Sequence, residues 1–281
     1  MGTISRSWDL IGQSFAVLKS DKQLMWLPVV SAIFCLAATV IIFCAGLLFV
    51  VPLRTIPHNA VQQKLLGQEM LPFIFFFYVA NYSIAIFFNV TLVSIASNRL
   101  AGGHATLNDG LQAAWNRKWS ILQWALLAAT VGMLVKMIES RLGFLGRIIN
   151  RMTGFVWTLA SFFVVPLLVA EDMGPIEALY ESSQLFRETW GEEVVGGFSF
   201  GLIFFLLGLP GLLLPLLGAR FGQTGMFAGL AVAVIYCLLL GVVSSAAQGV
   251  FVAALYHYAT TKQVSAGFLL EDLSTAWQPK Q

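Results

Sequence analysis

Side chains able to do chemistry are few in this sequence, and none stands in a spacing that a reaction needs. His58, His104 and His257 lie far apart along the chain. An intramembrane zinc protease needs His-Glu-x-x-His on one helix, and an aspartyl protease needs paired Asp residues in the membrane; neither pattern is present. Cys35, Cys44 and Cys237 fall inside apolar runs and share no short-spaced motif, as expected of small packing residues. The sequence predicts no catalytic residue, no metal site, no cofactor and no enzyme activity.

Neutral polar residues are the remaining candidates. Tyr78, Asn81, Tyr82 and Asn89 project within about one third of a helix circumference at 100° per residue. Ser244, Ser245 and Gln248 recur at helical spacing beside Gly241 and Gly249. Either set lines a polar path for a solute, or it holds helices together through hydrogen bonds worth roughly 0.6 kcal/mol each. Gly208-Leu209-Pro210-Gly211 and Pro215 predict a broken or bent helix with freed carbonyls. Such breaks mark solute sites in transporters, although Pro and Gly are also common in membrane helices. A different feature is the acidic run Glu171, Asp172, Glu177, Glu181, Glu188, Glu192 and Glu193, opposed only by Arg187. It repels anionic lipid, and Glu188, Glu192 and Glu193 offer a face to a basic protein partner. The plainer reading is a solvated helix face opened by Pro175.

The elements that carry these residues follow from composition. Hydrophobic residues make up 58% of the chain, charged residues 11%, and mean hydropathy is +0.81, against about a quarter charged in soluble domains. Apolar runs exceed the roughly 20 residues that cross a bilayer. With a net charge of +2 and no basic block, nucleic acid is excluded as a partner. The expected fold class is all-α: a polytopic transmembrane bundle forming a single integral membrane domain. About six spans are read at 24–53, 71–97, 121–135, 155–170, 194–217 and 226–256. Helices are required because hydrocarbon leaves no partner for an open backbone. The first run is too long for a cleavable signal and is expected to stay. No Asp, Glu, Lys, Arg or His falls near a span centre, which argues against proton-coupled carriers and voltage sensors.

Amphipathic segments are read at about 5–20, 107–119, 138–152 and 175–190. Three of them precede odd-numbered spans, and they align at Ile11, Leu111 and Leu179. Ser14, Ala114 and Ser182 then fall at i+3, Phe15, Trp115 and Ser183 at i+4, and Leu18, Lys118 and Phe186 at i+7, on one helical face whose apolar character Lys118 and Ser183 break. Three units of interfacial helix plus transmembrane hairpin are the expected plan. Lys and Arg favour cytoplasmic termini by a small margin, with Arg6, Lys19, Lys22, Arg99, Arg117 and Lys118 inside and Arg141, Arg147 and Arg151 outside. An alternative makes 121–135 and 155–170 a shallow hairpin that does not cross. The expected location is the plasma or inner membrane.

Ser7-Trp8, Phe88-Asn89-Val90, Asp109-Gly110-Leu111, Ala113-Ala114-Trp115, Pro175-Ile176-Glu177-Ala178 and Thr189-Trp190-Gly191 together carry a resemblance. The chain resembles a group of bacterial and archaeal multi-pass membrane proteins with a domain of unknown function, over nearly its whole length. In architecture alone, it is similar to the membrane domain attached to some glycerophosphodiester phosphodiesterases, without their catalytic domain. The resemblance implies the fold and leaves the activity open. Two functions stand: an accessory or scaffold protein acting through cytoplasmic amphipathic helices on lipid, on a protein partner or on itself, and an uncoupled passage for a small solute or lipid.

Overall fold

The computed structural model describes Gly12, Ser14 and residues 23–50, 71–171, 173–190 and 200–263. Among the described residues every regular element is a helix. They are α1 (Gln23–Val50), α2 (Leu71–Leu100), α3 (Leu107–Asn116), α4 (Lys118–Ala160), α5 (Val164–Ala170), α6 (Pro175–Trp190), α7 (Phe200–Ala219) and α8 (Gly222–Thr261). Five helical stretches are long and apolar enough to cross a membrane: Leu24–Leu48, Pro72–Leu100, Lys118–Ile138, Thr153–Ala170 and Gly222–Thr261. A shorter apolar helix, Phe204–Ala219, makes a sixth candidate. The protein is thus an all-α bundle of the membrane-spanning type.

Exposure follows from that medium. Ile33, Phe34, Leu36, Ile41 and Phe43 of α1 are exposed, as are Leu212, Leu216 and Leu217 of α7 and Phe227, Leu230, Ile235 and Leu238 of α8. Apolar area on this scale is untenable in water and costs nothing in hydrocarbon.

Helical backbone runs through all 43 residues of α4, yet the rings of Trp124 and Trp157 stack with centroids 5.6 Å apart and planes 5° apart. A straight helix would hold residues this far apart in sequence about 50 Å from each other. The helix therefore doubles back between them, and the arms 118–138 and 153–160 run side by side. The segment 138–152 joins the arms along the chain; of its side chains only Ile138 and Arg141 are among the described residues, and most of the segment 5–20 lies outside them.

Two compact units share the described chain. One contains 23–29, 92–107, 184–190 and 200–263; the other contains 30–50, 71–91, 108–171 and 173–183. In the first, α7 and α8 form a hairpin turned by Arg220 and Phe221, with Gly222 at φ +83°. Glycine seams the pair: a Cβ on Gly218 would collide with the Gly225 carbonyl, and one on Gly229 with the Leu214 carbonyl. Farther along α8, Ala246, Ala247, Val250, Phe251, Ala254 and Leu255 are fully buried.

The α2–α3 connection is fixed by its backbone. Gly102 takes φ +84°, and Ala105 is gripped from both sides. Its carbonyl accepts from Arg99 Nε and Nη2 at 3.1 and 2.8 Å, while its N–H donates to Asn98 Oδ1 at 3.1 Å. The start of α3 is thereby set. A single residue, Arg117, joins α3 to α4.

The three positions aligned by the sequence, Ser14, Ala114 and Ser182, are each at 0% exposure. Four residues before the last two stand Gly110 and Ala178, also buried. These small-xxx-small pairs let neighbouring backbones approach closely. The i+3 position of the alignment is thus buried each time, whereas Trp115 at i+4 and Lys118 at i+7 are exposed, so the aligned face of α3 does not turn inward as a whole.

Candidate functional site

α3 and α6 each have a second face. On α3, Asn108, Gln112 and Trp115 form one stripe by the helical step, and all are exposed. Trp119, one turn on in α4, continues the stripe and is 67% exposed. Lys118 Nζ sits 4.7 Å from the Trp115 ring centroid, a cation–π contact. On α6, Ile176 and Tyr180 are exposed on the side opposite buried Ala178, Ser182 and Phe186. Pro175 opens that helix, where a missing N–H is harmless, and Glu177 in its first turn and Arg187 in its last complement the dipole.

What holds α6 in place is Ser182. Its hydroxyl accepts the backbone N–H of Phe163 at 2.9 Å, at the turn between α4 and α5. Phe163, Val164, Leu167 and Leu168 are fully buried in the same unit.

Three cavities lie beside these elements. One of about 180 Å³ opens between α1 and α2, lined by Thr39, Ile42, Phe43, Leu47, Phe73 and Phe77 among others. A groove of about 700 Å³ runs past Gln123, Pro175, Ile176, Glu177 and Tyr180. A third, of about 460 Å³, is bordered by Phe87, Asn108, Leu111, Gln112 and Trp115.

The polar residues singled out by the sequence fall in separate settings. Asn81 works as an interhelical contact: its Oδ1 accepts from Thr39 Oγ1 at 3.3 Å, and its Nδ2 donates to the Phe77 carbonyl at 2.9 Å. Cys35 Sγ reaches the Asn81 carbonyl at 3.7 Å. Tyr78 and Tyr82 stack on one another at 6.2 Å. Asn89 is exposed; Ser245 and Gln248 are exposed too, with Ser244 half-buried, in the other unit. None of these residues borders the three cavities.

Pro210, Gly211 and Pro215 lie inside a helix that continues from Phe200 to Ala219. Prolines remove the N–H groups that would meet the Leu206 and Gly211 carbonyls. The adjoining Leu207 carbonyl accepts the Tyr236 hydroxyl at 2.5 Å. Gly211 packs against that tyrosine, where a Cβ would stand 3.0 Å from its ring. Tyr236 has no distinguishing spacing in the sequence. Of the acidic trio, Glu188 accepts from Gln184 Nε2 at 2.7 Å, while Glu192 and Glu193 lie outside the described residues. Among the described residues no group of His, Cys, Asp or Glu could hold a metal ion.

A family of unknown function, DUF6159, matches residues 69–268. The chain belongs to this family. The match takes in α2 to α8 and leaves α1 outside, narrower than a likeness over nearly the whole chain. No curated protein and no solved structure matches the sequence. Membership of DUF6159 agrees with a membrane protein of unknown role and adds no activity.

Proposed function

We propose that this DUF6159 protein is a non-catalytic accessory or scaffold protein of the cell membrane, acting through its interfacial helices on lipid or on a protein partner. One observation carries the reading. α3 and α6 bury small residues on one face, Ala114 and Ser182, and expose Trp115, Ile176 and Tyr180 on another. A helix that only linked two spans would have no need of a second apolar face, whereas a helix lying in an interface uses one. In this reading both termini and the helices at 107–119 and 175–190 are cytoplasmic, and the membrane domain of the phosphodiesterases is an architectural parallel only. Uncoupled passage of a solute has less support, because Asn81 is engaged in an α1–α2 contact and Asn89 and Gln248 face outward.

Photoreactive residues placed at Ile176, Tyr180 and Glu188, and for comparison at Leu213 and Leu238, test the proposal in living cells. The expected result is a discrete protein or lipid adduct from the α6 positions that the comparison positions do not give. Identical adduct patterns at all five positions would remove the case for α6 as a working face.

A further inference from the structure

The groove between α2 and α3 combines two chemistries. Phe87 and Leu111 offer hydrocarbon, while Asn108 and Gln112 offer amide donors and Trp115 an indole N–H. Lys118 does not border the groove, but its ammonium, 4.7 Å from the centroid of the Trp115 ring that does, puts a positive charge beside it. None of the five bordering residues is acidic. Phe87 belongs to the candidate span Pro72–Leu100, so the groove leads from hydrocarbon depth to an interfacial helix. Trp115 is 61% exposed, and an exposed indole is at home at headgroup level.

A phospholipid joins the same two chemistries, an acyl chain to ester oxygens and a phosphate. We propose that the α2–α3 groove binds one anionic phospholipid. Its acyl chain lies along Phe87 and Leu111, and its phosphate faces Gln112, the Trp115 indole N–H and the Lys118 ammonium. A free phosphate would meet the polar end and leave Phe87 and Leu111 uncovered. The volume, about 460 Å³, takes a headgroup and the upper part of one chain, with the remaining chain in the surrounding lipid. The inference rests on α3 being an interfacial helix.

Native mass spectrometry of the full chain in detergent tests it, with phosphatidylglycerol, phosphatidylethanolamine or glycerol phosphate added separately. The expected result is one phosphatidylglycerol retained in preference to phosphatidylethanolamine, and no retention of glycerol phosphate. In the Lys118→Gln/Gln112→Leu variant the apparent affinity for phosphatidylglycerol falls roughly ten-fold, the loss of charge-assisted hydrogen bonds. Lys136→Gln, at an exposed lysine elsewhere on α4, leaves it unchanged. Should the double variant lose helical circular dichroism, Lys118→Gln alone carries the comparison, since that side chain is exposed. Equal retention by the altered and unaltered chains, or binding of glycerol phosphate as tight as that of the lipid, overturns the proposal. Adducts at Tyr180 with lipid retention indifferent to Lys118 would sink the groove and leave the interfacial reading of α6 standing.

Discussion

At Ser182 a single hydroxyl ties an amphipathic helix to a helix turn. The Phe163 N–H it accepts is buried, so no water can replace it. Removing the acceptor leaves an unsatisfied donor, a cost of about 1–3 kcal/mol. Ser182→Ala is therefore expected to lower the thermal midpoint in detergent, while Ser182→Thr, which keeps the hydroxyl, is expected to lower it less. An unchanged midpoint in Ser182→Ala would show that the hydroxyl does not anchor α6. Asn81 illustrates the opposite reading of a polar residue. In sequence it stands in a stripe that fits a solute path or a packing seam; in the structure its amide accepts from Thr39 of α1 and donates to the Phe77 carbonyl one turn back. Spacing along one helix states which residues share a face. It does not state which other segment that face meets, and so neither the Ser182–Phe163 bond nor the Tyr236–Leu207 bond is legible beforehand.

Helices are legible where length and hydropathy decide them, and less so where tertiary contact does. Hydropathy separates 121–135 from 155–170, but helical backbone continues through the segment between them and only the Trp124–Trp157 stack reveals the reversal. The proline pair predicts a broken or bent α7; helical backbone runs through both prolines, and a neighbouring tyrosine donates to the Leu207 carbonyl beside them. The α7–α8 seam, by contrast, is visible once glycines are asked what a side chain would strike. Gly229→Leu drives a side chain into the Leu214 backbone, and overpacking costs about 1–3 kcal/mol. A Cβ on Gly132 of α4 would meet nothing within 4 Å, and relief of glycine's backbone entropy favours its replacement. Thermal midpoints in detergent should fall for Gly229→Leu and hold or rise for Gly132→Leu. Equal midpoints would mean that α7 and α8 are not in close contact.

For the whole molecule, fold class is the most legible property, since it depends on the solvent the chain prefers and not on any one contact. One aligned position is also readable, because Ser14, Ala114 and Ser182 are each buried. The exposed stripe from Asn108 to Trp119 does not read as a site in the sequence, since its groove needs Phe87 from α2. Bilayer residence is the claim on which the interfacial helices, the lipid groove and the tolerance of exposed Leu, Ile and Phe all depend. Alkaline carbonate extraction of membranes from cells producing the full chain measures it directly. The protein is expected to stay in the membrane pellet and to leave it only with detergent; recovery in the carbonate supernatant as a compact, detergent-free monomer would contradict the account.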